Sequence, residues 1–138
     1  MIEQVTAAIA ALQSETANYP QNIQIWMKLM GISFMASIVF IYSKSGARWI
    51  FLALVLNILG LIVGKMMFPE ASRTAIGTAV HILFWPAILW AVLRSLKQVS
   101  LSWEHNTLYD WAYIVWLAWA CLLMSVSLSF DFRTALSL

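Results

Sequence analysis

The chain has 138 residues, a net charge of +2, and 10% charged against 62% hydrophobic residues, with a mean hydropathy of +0.82. Water-soluble domains carry about 25% charged residues, so these polar groups are too few to cover a hydrated surface, and the sequence predicts an all-α integral membrane protein. The small net charge without a basic run excludes nucleic acid as a partner. The single cysteine, Cys121, excludes an internal disulfide and a Cys-built zinc site.

The first segment, residues 1–20, places Ile2, Val5, Ile9 and Leu12 at helical spacing. That pattern predicts a short amphipathic helix ended by Asn18 to Pro20. It has no basic n-region followed by an apolar stretch, so it does not resemble a secretory signal and is expected to be retained.

Four apolar runs follow, at 25–42, 49–68, 75–94 and 109–130, each near the roughly 20 helical residues that cross a bilayer. Continuous rather than alternating hydrophobicity favours helices over strands, and in lipid a helix satisfies its own backbone. The joints SKSGAR (Ser43 to Arg48) and PEASR (Pro69 to Arg73) are short. They predict antiparallel hairpins within a single membrane domain spanning residues 1–138. The longer joint, about Ser95 to Leu108, holds Trp103, Glu104, His105 and Asn106 and is expected to lie along the interface. Eight Trp and four Tyr fit two membrane–water boundaries. Lys28, Lys65, Arg73 and Arg133 fall towards the termini, and Lys44, Arg48, Arg94 and Lys97 towards the other side. Discounting Lys28, which sits inside the first span, favours both termini outside under the positive-inside rule. The short apolar chain resembles many bacterial inner-membrane proteins.

The second run contains Asn57, Gly60 and Gly64 near one helical face, the two glycines forming a GxxxG that permits close helix approach. The third places Gly77, His81 and Trp85 on one face. Closing a hairpin on PEASR sets Asn57 opposite Trp85, Leu61 opposite His81 and Lys65 opposite Gly77. His81 and Trp85 are then expected to pack into the glycine groove, with Asn57 bonding one of them, since a buried polar group without a partner costs about 1–3 kcal/mol. These six residues, Asn57, Gly60, Gly64, Gly77, His81 and Trp85, are the candidate polar, ligand or packing site. Pro86 removes a backbone donor and is expected to kink the third helix.

In the fourth run, Ala118, Cys121, Ser125 and Ser129 form a small-residue stripe expected to face other helices, a device repeated by Ser33 and Ser37 in the first run. Tyr109, Tyr113 and Trp116 form an aromatic stripe suited to lipid, a ligand or another subunit. Asp131 and Arg133 are expected just beyond this run, as interfacial anchors. With no carboxylate then deep in any span, the usual group for coupled transport is missing. His81 and His105 do not converge for haem ligation, and no catalytic motif occurs. The reading is non-enzymatic, with no catalytic or metal residues and no cofactor required. The first expectation is an accessory or self-associating subunit of a membrane complex. The alternative is a homo-oligomeric channel or small-solute transporter with His81 and Asn57 near the pathway.

Overall fold

In the computed structural model, which describes residues 1–101 and 107–137, the protein is 88% helix, with no strand among the described residues. The helices are α1 (Ile2–Ala17), α2 (Gln21–Met35), α3 (Ser45–Met67), α4 (Arg73–Leu101) and α5 (Leu108–Leu136), and α2 runs on into a 3-10 turn, Ala36–Val39. The last four are long and apolar enough to cross a membrane, the first of them counted from Gln21 to Val39. Trp103, Glu104, His105 and Asn106 lie outside the described residues.

Local chemistry sets the ends. Asn18 caps α1, and Pro20 precedes α2 in an extended conformation that starts the next helix at Gln21, earlier than hydrophobicity indicated. α3 stops at Met67, because Pro69 disfavours helical geometry at Phe68. α5 opens with a reciprocal capping box between Thr107 and Asp110. α3 likewise starts at Ser45, inside the expected joint, and two C-terminal ends lie well beyond the sequence expectation. α4 continues past Arg94 to Leu101, where Ser95 is buried and bonds back to the Val92 carbonyl (2.7 Å). α5 continues through Asp131 and Arg133 to Leu136.

The core runs between α3, α4 and α5 through Ile50, Ala53, Trp85, Val92, Leu117, Ala120 and Leu123. Small residues let the helices close. A Cβ on Gly60 would lie 2.7 Å from Val80 Cγ2, and one on Gly64 2.5 Å from Ile76 Cγ2. The glycine groove is therefore filled by Val80 and Ile76, not by His81 and Trp85. α4 starts at Arg73, nearer the reversal than Ala75, and its register is shifted along α3 by between half a turn and one turn. Asn57 meets His81, and Leu61 lies beside Gly77.

α1 packs on α3 and α4 through Ala8 and Leu12, while Ile2 and Ile9 point outward. Its rotation is fixed by Glu15, which shares the Ala8–Leu12 face. One carboxylate oxygen of Glu15 accepts from Lys65 Nζ (2.6 Å), and the other accepts from the backbone N–H of Arg73 (2.6 Å), the first residue of α4. The anion thus sits at a helix N-terminus, where the unpaired backbone donors favour it. Lys65 also donates to the Ala71 carbonyl (2.8 Å), and the Arg73 guanidinium bonds Thr16 on α1. Lys65 and the Arg73 amide hold the Glu15 carboxyl below its ordinary pKa.

The fourth run is also rotated from expectation. Ala118, Ser125 and Ser129 are exposed, and the two serine hydroxyls bond within α5 to the carbonyls of Cys121 and Ser125 (2.8 Å each). The inward face is Tyr113, Leu117, Ala120, Met124 and Ser127 instead. Bulky rings win the interior here because Phe40, directly after the 3-10 turn, supplies a ring for them to pack on. Phe40 lies 5.1, 5.5 and 5.3 Å from the Tyr109, Tyr113 and Trp116 rings. Trp116 and Trp119 then donate to the backbone carbonyl and hydroxyl of Ser33 (2.8 and 3.1 Å). The aromatic stripe is largely an intramolecular seam.

Candidate functional site

A partly open cavity of about 270 Å³ lies where α2 stands away from α4. Its apolar wall is chiefly α2, with Trp26, Met27, Met30 and Phe34. Its polar wall is Asn57 of α3, Thr78 and His81 of α4, and Asp131 of α5, while Tyr19, Arg73 and Thr74 complete its lining. Helical periodicity accounts for the polar wall. Thr74, Thr78 and His81 follow four- and three-residue steps on α4, and Ser127 and Asp131 are one turn apart on α5.

The polar groups form a chain across three helices. His81 Nδ1 lies 2.7 Å from Asp131 Oδ2, and its Nε2 lies 3.1 Å from Asn57 Oδ1, both within hydrogen-bond distance. Thr78 Oγ1 donates to the other Asp131 oxygen (3.0 Å). The His81 and Asp131 side chains are 13% and 15% exposed, so both are sheltered yet reachable from the cavity. Each ring nitrogen faces an oxygen that accepts a hydrogen bond from it whenever that nitrogen carries a proton. Rotating the Asn57 amide would offer Nδ2–H to an unprotonated Nε2. The same three side chains can therefore serve either protonation state.

Trp85 is fully buried and lies against His81 with ring centroids 3.8 Å apart and planes tilted by 31°, and its Nε1–H has no hydrogen-bond partner. Asn57 thus bonds His81 rather than Trp85. Gly60 and Gly64 shape the neighbouring helix contact and do not line the cavity, whereas Gly77 does. Pro86 lies inside α4 and is exposed, away from the cavity.

Asp131 is the residue that sequence reasoning misplaced. It belongs to α5 and is bonded to His81 and Thr78, not left as a boundary anchor. Ending the fourth span at Phe130 hid it. Extending the buried steps Leu117, Ala120, Met124 and Ser127 by one more turn lands on Asp131 and leaves Arg133 on the exposed side. Among the described residues no three His, Cys, Asp or Glu side chains gather as a metal-ligand set. The arrangement can accept a proton, donate one, and present a carboxylate to a small molecule. No protein-family model, curated protein or solved structure matches the chain.

Proposed function

We propose that this protein is a non-enzymatic, four-span membrane protein that binds a small solute in the α2–α4 cleft and carries it across the bilayer. The observation that carries this reading is the Asn57–His81–Asp131–Thr78 chain on the wall of a partly open cavity. Ionisable groups inside membrane spans are costly and are retained mainly where a polar pathway uses them. Membrane insertion is supported by the outward apolar side chains Ile32, Leu59, Leu83 and Val115, which are exposed on four different helices. Residue numbers rise along α4 as they fall along α3 across the pairs Asn57–His81, Gly60–Val80 and Gly64–Ile76, as an antiparallel hairpin requires. The whole chain is one membrane domain, with both termini outside and the Lys44–Arg48 side cytoplasmic. Pro86 bends α4 on its exposed face, which helps hold α4 away from α2 along the cleft.

The test is solute-dependent flux in proteoliposomes carrying a lumenal pH dye, screened over small cations, anions and neutral solutes. Flux of at least one solute is expected. It should disappear in His81→Ala and Asp131→Asn and persist in Ser125→Ala, on the outer face. Equal flux in all four proteins, or none for any solute, would sink the reading.

A second reading, self-association or an accessory role in a larger complex, is favoured by the outward small side chains of Ala118, Ser125 and Ser129. Small residues let two helices approach closely in lipid. Native mass spectrometry separates the cases: a homo-oligomer fits an oligomeric transporter, and a stoichiometric foreign subunit fits the accessory role. A monomer weakened in neither flux nor assembly by Ser125→Leu would remove this reading.

A further inference from the structure

We propose that the solute taken by the cleft is a compact organic cation, and that it binds Asp131 in exchange for a proton released from His81. The inference rests on the reading of the cleft as a solute site. The exchange is charge-neutral: one cation enters, one proton leaves an imidazole nitrogen for water in the cleft, and the Asp131 carboxylate keeps a single positive partner throughout.

The cleft's own groups select the sign of the ligand. Asp131 is an acceptor with one bond to each oxygen, from Thr78 and from His81, leaving lone pairs on both. The opposite wall is built of Trp26 and Phe34 rings and the thioethers of Met27 and Met30, which are polarisable surfaces suited to an alkylammonium group. The cavity's fixed cation among the described residues is Arg73, and its guanidinium is turned to Thr16 on α1. An anion would meet the Asp131 carboxylate. A neutral apolar molecule would leave the polar wall unused. A volume of about 270 Å³ limits the ligand to a small one, since pockets for drug-sized ligands run from about 300 to 1,000 Å³.

The proton exchange follows from geometry. His81 and a ligand cation compete for one carboxylate, so they hold it together only with two positive charges against one negative. The Asn57 amide supplies the release step, because rotation exchanges its oxygen for a donor that stabilises the neutral ring. The groups facing this pair are few. α1 and α2 offer no charge to the cleft, and Tyr19, in the joint between them, is bonded to Thr74 (2.7 Å). α3 offers Asn57, α4 offers Arg73, and α5 offers only Asp131. Glu15 and Lys65 neutralise each other beside Arg73, outside the cavity lining.

The probe is benzyltrimethylammonium, whose charge is permanent, so any proton counted comes from the protein. Calorimetry of the full chain in phosphatidylcholine nanodiscs, in two buffers of different ionisation enthalpy, reports affinity and protons released. N,N-dimethylphenylacetamide and phenylacetate serve as neutral and anionic counterparts. The cation is expected to bind at least about tenfold more tightly than either. Release of one proton per cation is expected on the acid side and should fade as pH rises. Asp131→Asn should cost at least about thirtyfold in affinity, and His81→Gln should bind without releasing a proton. If Asp131→Asn does not assemble, the selectivity and the wild-type proton count decide alone. Equal or tighter binding of the amide or of phenylacetate overturns the cation assignment and leaves the cleft a solute site. Cation binding without proton release at any pH overturns the exchange. Absence of binding by all three compounds overturns this inference, and the flux screen then judges the broader reading separately.

Discussion

The two ends of the bundle solve the same packing problem in opposite ways. At the end holding the α2–α3 joint, the helices close on one another. Phe40 sits among Tyr109, Tyr113 and Trp116, and Lys44 pairs with Asp110 over the Tyr109 and Tyr113 rings. Gly46 admits the Tyr113 hydroxyl where a Cβ would lie 2.3 Å away, with Ser95 Oγ at 2.7 Å. At the end holding the α3–α4 joint, α3 and α4 still meet through Gly60 and Gly64, but α2 parts from α4 and a cleft remains. There the contacts are polar and directional, through Glu15, Lys65 and Arg73 on one flank and His81 and Asp131 on the other. Lipid gives apolar helices little reason to associate beyond van der Waals packing. A tightly fitted end can therefore anchor the bundle, while a less filled end is held by hydrogen bonds that can be exchanged.

The contrast can be broken most strongly at the closed end. Gly46→Leu should displace the Tyr113 hydroxyl and Leu117 together, costing about 3 kcal/mol or more by overpacking, and thermal unfolding in detergent should show a large loss. A melting temperature within a degree of wild type would refute the tight fit. Next, the glycines of α3 and α4 should differ from one another. Gly60→Ala and Gly64→Ala press a methyl into the branched carbons of Val80 and Ile76, and each should cost about 1–3 kcal/mol. Gly77→Ala reaches only Leu61 Cδ2 at 3.8 Å, so it should change stability by less than about 0.5 kcal/mol. Three equal losses would show that the groove is not a specific contact.

The smallest expected effect sharpens the open end. Glu15→Gln should weaken the α1 attachment by about 1 kcal/mol or less at neutral pH, as for other partly exposed ion pairs. Because its partners hold the Glu15 pKa low in the folded protein, the pair contributes above the usual carboxylate pKa, about 4.3, and loses that contribution as pH falls through the folded value. Hydrogen exchange of α1 should therefore separate wild type from the variant at pH 6 and bring them together in strong acid. A difference that grows in acid would mean that the carboxylate is not held by Lys65 and Arg73.

Much of the helical order was legible from hydrophobicity alone, because a span in lipid needs a long apolar run whatever its neighbours do. The Asn57–His81 bond was legible as one of two partners for Asn57, since a buried amide and imidazole on facing helices have few other choices. The occupants of the glycine groove were not. Joint length places the reversal only to within about a turn, and a shift within that range replaces His81 and Trp85 with Ile76 and Val80. Asp131 was hidden by a boundary drawn where hydropathy falls, although a helix ends where its backbone bonding ends.

The sequence by itself determined the number of helices long and apolar enough to cross a membrane, because this follows from composition and local backbone chemistry. Tertiary structure decided which face each helix buries. In α5 it turned the aromatic stripe inward and the small stripe outward, since Ser33 on α2 and Phe40 after the 3-10 turn offer partners that spacing within α5 does not reveal. It also decided that Asp131, fifty positions along the chain from His81, lies within hydrogen-bond distance of it. Such a pair depends on helix rotation and register, which are set by all the contacts of the bundle at once.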